Sequence, residues 1–221
     1  MAKKGKDKSV QYLSIRKKMQ RHGMSPAWLC RPYLPRAASR ASPKVLIVSR
    51  FMAGWEELSS AAYIDRVRWR KVRSTFWSFA ESVAGALMGT DDPLPVTGWT
   101  NVLKLAGARG CPAALRDMQA EAAEHHLAED FRRFAPDVIV MPTGDFMGGL
   151  VGRAIKAAFG TSASPEWEEV SPGTWHLAVA RSGSKPKQCH IFITRTPQGW
   201  RKAYADAARA TIVGMLRESG R

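Results

Sequence analysis

Short apolar runs alternate along this chain with longer segments of helical periodicity. Apolar runs at residues 44–48, 137–141 and 189–194 are typical of strands buried on both faces, and weaker runs at 99–105 and 175–180 predict two more strands. The segments between and after the strands carry apolar residues at helical spacing and predict helices at 63–88, 111–134, 146–159 and 201–218. Strands that alternate with helices predict an α/β fold, a three-layer αβα domain around a mostly parallel central sheet. In such a sheet, ligands bind at the loops that leave the carboxyl ends of the strands.

Composition narrows the class of protein. The chain has 221 residues, 45% of them hydrophobic, which suits one domain with a sizeable core. No apolar run approaches the roughly 18 residues that cross a bilayer, and the basic N-terminus has no apolar segment behind it, so we expect a cytoplasmic protein with no membrane contact. No Walker A or G-x-G-x-x-G motif occurs. The three cysteines are widely spaced: Cys30, Cys111 and Cys189. This spacing predicts neither disulfides nor a zinc or iron–sulfur site, and no cofactor is predicted.

The positive charge is concentrated at the N-terminus. The net charge is +15, and residues 1–44 hold twelve Lys or Arg against one Asp. The sequence therefore predicts a basic arm over residues 1–43, extended by its prolines, before an α/β domain over residues 44–221. Such an arm is typical of nucleic-acid binding, because clustered cations neutralise phosphates. Two alternatives stay open: a solubilising or targeting tail, or an arm that wraps its own domain through Trp28, Tyr33 and Leu34.

Four loops after the predicted strands carry a further pattern. The first, at 49–55, contains Gly54 and Trp55; the second contains Asn101; the third ends a Pro-Asp-Val strand at Gly144; and the last covers 195–200. In this order and spacing the chain resembles the uracil-DNA glycosylase superfamily, particularly its divergent bacterial and phage members. The resemblance spans roughly residues 44–218. It implies the fold of that family, an N-glycosidic hydrolase activity, and nucleic acid as partner, with DNA favoured over RNA.

The resemblance also implies roles for particular residues. Such enzymes flip a base out of the stack and read its edge in a pocket. Asn101 would read the O4 and N3–H edge of uracil, although an Asn that only ties a turn is the alternative. Gly54 and Gly144 would let the backbone approach the ligand closely. The other candidate binding residues would stack on bases or hold phosphates, and they are Trp55, Arg195, Pro197, Gln198, Gly199 and Trp200.

Two catalytic positions of the family are altered. Phe51 stands where the family has its water-activating acid, and Thr196 stands where it has the His that stabilises the departing base. Glu56 and Glu57 are candidate substitutes for the acid, the alternative being two ordinary carboxylates at the start of a helix. Loss of a general base costs about 10²–10⁴-fold in rate, and loss of one oxyanion donor about 10²–10³-fold. We therefore expect ordinary uracil excision to be weak or absent, with activity surviving on an easily expelled base.

Other candidate residues have simpler interpretations. His125 and His126 are adjacent on a predicted helix and point about 100° apart, so no metal site is predicted there. His176 and His190 are expected to pack in strands, and Asp145 is expected to cap a helix. Two rival functions remain: a non-catalytic DNA- or RNA-binding module on the same fold, and an unrelated doubly wound protein that binds a small molecule.

Overall fold

The computed structural model describes residues 17, 27–29, 31–50, 60–69, 74–107, 113–144, 148–160, 166–181, 187–196 and 202–219. Its helices are α1 (Arg36–Arg40), α2 (Ser60–Arg68), α3 (Thr75–Met88), α4 (Ala113–Phe134), α5 (Gly148–Phe159) and α6 (Lys202–Glu218), with a 3₁₀ turn at Leu94–Val96. Its strands are β1 (Ala27–Leu29), β2 (Val45–Ser49), β3 (Gly98–Asn101), β4 (Leu105–Gly107), β5 (Val138–Met141), β6 (Glu168–Ser171), β7 (Thr174–Arg181) and β8 (Lys187–Thr194).

Six of these strands form one sheet in the order β3-β2-β5-β8-β7-β6. The first four are parallel, and β7 and β6 extend the sheet in antiparallel fashion. The predicted α/β class with a mostly parallel sheet is therefore confirmed. Strand β6 was not predicted, because the exposed Glu168 and Glu169 at this sheet edge break any apolar run.

Side chains of the central strands alternate between two apolar cores. Val45, Ile47 and Trp99 belong to a core that includes residues of α2, α3 and α6. Leu46 and Val48 belong to the opposite core, which includes residues of α4 and α5. The period of two along β2 thus places helices on both faces, and this is the physical origin of three layers.

The prediction of one helix over 63–88 is wrong, because the structure has α2 and α3 instead. Ser74 is extended (φ −151°, ψ 155°) and its side chain accepts a hydrogen bond from the Trp77 backbone N–H. Ser is a favoured N-cap because its oxygen satisfies an N–H that has no partner within the helix. The predicted end near Gly89 is confirmed, with Gly89 at φ 65° in the left-handed region.

Residues 27–29 and 31–43 lie against the α/β domain. Strand β1 pairs with β4, Ala27 lying opposite Gly107. Tyr33 and Trp99 exchange two backbone hydrogen bonds of 2.8 Å each, and Ala38 of α1 is fully buried. For this part of the predicted arm the structure fits the alternative in which the arm wraps its own domain. None of the helices in the described ranges is both long and apolar enough to cross a bilayer.

Candidate functional site

The four parallel strands bring their carboxyl ends to one edge of the sheet. The first of them in the chain, β2, has the second, β3, on one side and the third, β5, on the other. The connection after β2 therefore runs to one side, to β3, and the connection after β5 runs to the other side, toward β8. A crevice is expected outside the carboxyl ends of β2 and β5, where these two directions diverge. Asn101, Gly144 and Thr196, each predicted from sequence as a site residue, stand at or just beyond strand ends on this edge.

Asn101 ends β3 with its side chain buried, only 1% exposed. The Ser49 hydroxyl, at the end of β2, donates a hydrogen bond to Oδ1 of Asn101. Within the part of the chain that the structure describes, Nδ2 of Asn101 has no acceptor. A buried donor without a partner costs about 1–3 kcal/mol, so the amide has an unused hydrogen-bonding capacity that a ligand can satisfy.

A buried ion pair lies beside Asn101 in the sequence. Lys104 is 3% exposed and Asp130 of α4 is 7% exposed, and their charged groups are in contact. Thr100 Oγ1 donates to Oδ2 of Asp130 at 2.6 Å, and the Lys104 ammonium donates to both groups. Thr100, Lys104 and Asp130 therefore form a closed polar triangle that attaches the end of β3 to α4.

Hydrogen bonds fix the turn after Asn101 at three further residues. The backbone N–H of Val102 donates to the Ser49 carbonyl at 2.8 Å, and that of Leu103 donates to the Arg50 carbonyl at 3.0 Å. The Gln119 side chain bonds both the N–H and the C=O of Leu105, at 2.8 and 3.0 Å. Because the main chain is bonded before and after Asn101, its amide is pre-organised rather than mobile.

Gly144, just beyond β5, lies beside residues that follow β2 and β8. Its backbone N–H donates to the Thr194 carbonyl at 2.7 Å, and its φ is +60°, which favours glycine. The position that a Cβ on Gly144 would occupy is 3.2 Å from Nη2 of Arg50 and 3.5 Å from Oγ1 of Thr196. Arg50 is held there by a 2.6 Å hydrogen bond from its Nε to the Thr143 carbonyl.

Arg50 places a positive charge beside Gly144. The Arg50 side chain is half-buried, and burial lowers its pKa, with the charge of Arg116 on α4 lowering that pKa further. A guanidinium nevertheless stays protonated in proteins, so Arg50 and Arg116 contribute positive charge to the described part of the crevice. This sign of charge suits an anionic ligand.

Arg195 lies farther along the same edge. Its backbone N–H donates to the Gly173 carbonyl at 2.9 Å, and its aliphatic stem covers Gly173 at the turn between β6 and β7. The structure thus places Thr196 at Gly144 but directs Arg195 toward the neighbouring hairpin.

The remaining predicted site residues lie outside the described residues. They are Phe51, Gly54, Trp55, Glu56, Glu57, Pro197, Gln198, Gly199 and Trp200, together with the predicted helix cap Asp145. Sequence reasoning had not selected Ser49, Arg50, Lys104 or Asp130. A signal existed for Ser49 and Arg50, which directly follow a buried strand, but Asp130 is one of several polar residues on a long helix.

A groove of about 750 Å³ runs along α3, away from the crevice. Ser78 and Ser82 line it, and its charged lining residues are Glu81, Asp91 and Arg209. Two carboxylates against one guanidinium do not attract phosphates, so this groove is poorly suited to an anionic ligand.

His176 and His190 lie beside one another on the neighbouring strands β7 and β8. The rings of His176 and His190 stack with centroids 5.3 Å apart, and Nε2 of His176 lies 3.1 Å from Nδ1 of His190. His190 is buried, which confirms that it packs in its strand, and Cys189 beside it is buried as well. Among the described residues no cluster of three or more His, Cys, Asp or Glu side chains is arranged to hold a metal ion.

His176 predicts a pH-dependent stability. Burial lowers its pKa below the ordinary value, an effect that Glu168 opposite partly offsets. The unfolded chain then binds the proton more readily than the folded one, so the free energy of unfolding should fall as the pH drops below about 6.5. Urea titrations from neutral to mildly acidic pH should show that the free energy of unfolding falls less with pH in His176→Gln than in wild type. Equal slopes of the free energy of unfolding against pH in wild type and His176→Gln would contradict the assignment.

Fold and crevice together define an α/β protein with a polar candidate site at a topological switch point. Searches against protein-family models and against curated proteins found no match to this chain.

Proposed function

We propose that this protein binds nucleic acid, holds a flipped or unpaired base against Asn101, and hydrolyses the N-glycosidic bond of an easily expelled base. The observation that carries the proposal is the buried Asn101 amide beside the switch point, whose Nδ2 lacks an acceptor within the described residues. An exocyclic base oxygen, such as O4 of uracil, is an acceptor of the right kind for this donor.

The basic arm supports a nucleic-acid ligand. Residues 1–26 contain eight Lys or Arg and one Asp. They join the domain at Ala27, which pairs with Gly107, six residues beyond Asn101. Cations attached on this side would supply sequence-independent affinity for phosphates, while the crevice would supply selectivity.

Single-turnover base release tests the proposal. With protein in excess over duplex and single-stranded oligonucleotides containing uracil, 5-fluorouracil or hypoxanthine, we expect slow release, fastest from 5-fluorouracil because fluorine stabilises the departing anion. Asn101→Ala should slow release by about 100-fold or more, since a site built to hydrogen-bond its substrate loses specificity when that bond is lost. Gln188→Ala, which removes an exposed side-chain amide on β8, is the matched control and should release at the wild-type rate.

A second candidate is a binding module that recognises a base without cutting. The observation in its favour is that Phe51 and Thr196 stand where the family that the chain resembles has its catalytic acid and His. Tight, salt-sensitive binding that Asn101→Ala weakens, with no release from any substrate, would establish this alternative and refute the hydrolase.

A further inference from the structure

Three hydrogen-bond donors surround Gly144 at the switch point. Nη2 of Arg50, Oγ1 of Thr196 and the backbone N of Thr196 lie 3.2, 3.5 and 3.7 Å from the position of a hypothetical Gly144 Cβ. They come from two elements, the end of β2 and the chain beyond β8. Donors that converge from separate elements, one of them cationic, form an arrangement suited to an oxygen that carries negative charge.

Hydrolysis of an N-glycosidic bond creates such an oxygen. Water adds to C1′ of the sugar, and the bond from C1′ to the base nitrogen breaks with its electron pair going to the base. In a pyrimidine that charge spreads to O2; the water releases one proton to solvent, and the base later takes one up. The barrier falls if donors already stand where the charge develops.

We infer that Arg50 is a catalytic residue of this site, and that its guanidinium, together with Thr196, binds the oxygen that becomes negative as the base departs. This inference rests on the proposed hydrolase function. The positive charge is carried by Arg50, which directly follows β2. The Thr196 hydroxyl is uncharged and could supply only a hydrogen bond.

The local structure fits this role. The Nε bond to the Thr143 carbonyl holds the guanidinium, and Nη2 lies 3.2 Å from the position that a Cβ on Gly144 would occupy. A side chain at position 144 would crowd Nη2 at 3.2 Å and would also be strained at φ +60°. Glycine at position 144 therefore lets Arg50 and Thr196 approach the main chain closely.

The test compares two leaving groups in wild type, Arg50→Gln and Arg50→Lys. In Arg50→Gln we expect release of uracil to slow by about 100-fold or more, the usual effect of removing one oxyanion donor. Release of 5-fluorouracil should slow much less, because its anion needs less stabilisation. Arg50→Lys should recover part of the uracil rate, since it restores charge without the planar fork. Melting temperature and oligonucleotide affinity are measured for each variant.

Matched controls separate the outcomes. Arg153→Gln removes a guanidinium that pairs with Glu124 on the surface and should leave both rates unchanged. Equal slowing of uracil and 5-fluorouracil release in Arg50→Gln would show a merely structural role and overturn the inference, as would no slowing. Absence of release by the wild type from every substrate would instead refute the proposed function, and the role of Arg50 with it.

Discussion

Replacing Asp130 by Ala is expected to lower the free energy of unfolding by about 3–5 kcal/mol, because it leaves the Lys104 ammonium buried without its carboxylate. Lys104 is 3% exposed and Asp130 7%, so water cannot easily replace the missing partner. Thr100 also loses its acceptor on Asp130. Urea unfolding followed by circular dichroism would measure the loss. A change below about 1 kcal/mol, as for an exposed pair, would show that the ion pair is solvated in solution.

Two comparisons make this experiment specific. Glu124→Ala breaks a surface pair with Arg153 and should cost about 1 kcal/mol or less. The triple variant Thr100→Val/Lys104→Met/Asp130→Leu replaces all three buried polar groups by apolar side chains, and we expect it to be at least about as stable as wild type. If the polar triangle also pre-organises Asn101, the same triple variant should fold well yet show weakened discrimination between uracil and cytosine. Unchanged discrimination would limit the triangle to a role in stability.

Removal of residues 1–26 is expected to reduce affinity for a random-sequence duplex by about 100-fold or more at low salt, because eight Lys or Arg are removed. Each neutralised phosphate contributes about 0.9 to the slope of log K against log salt, so the slope should become shallower in proportion to the number of phosphates that the arm neutralises. Fluorescence anisotropy titrations over a range of salt concentrations would measure both quantities. Affinity and slope equal to those of the full chain would contradict a nucleic-acid role for the arm.

Two controls belong with the truncation. The shortened chain keeps β1, which begins at Ala27 and pairs with β4, so its melting temperature should match that of the full chain. A chain in which residues 2–26 are scrambled keeps the charge and should bind like wild type, because phosphate binding depends on charge and not on order. Weak binding by the scrambled chain would indicate a sequence-specific contact instead.

Much of the fold was readable from local pattern. The apolar runs at 44–48, 137–141 and 189–194 correspond to β2, β5 and β8, since a strand buried on both faces has to be apolar throughout. The long helix α4 ends at Phe134, just before Pro136, as expected from the loss of a backbone donor. Strand β1 was missed because its pairing with β4 involves residues almost eighty positions away, and no local periodicity reports such a partner.

The candidate site could be predicted only in part from the sequence. Asn101 and Gly144 could be selected because each follows a predicted strand, and the carboxyl ends of parallel strands share one edge. Arg50 was within the first loop but had no distinguishing pattern. Its importance comes from its position beside Gly144 and Thr196, which depends on the order in which the strands are arranged.

Local pattern was sufficient to predict the α/β class, the succession of buried strands and amphipathic helices, the basic N-terminus and the polar residues at the strand ends. These features follow from periodicity and composition, which act along the chain. Three features could be known only from the folded structure: β2 lies between β3 and β5, Arg50 and Thr196 both lie beside Gly144, and Asp130 accepts hydrogen bonds from Thr100 and Lys104. Such pairings join residues that are 26 to 146 positions apart, and their energies depend on burial and geometry that exist only once the layers have packed.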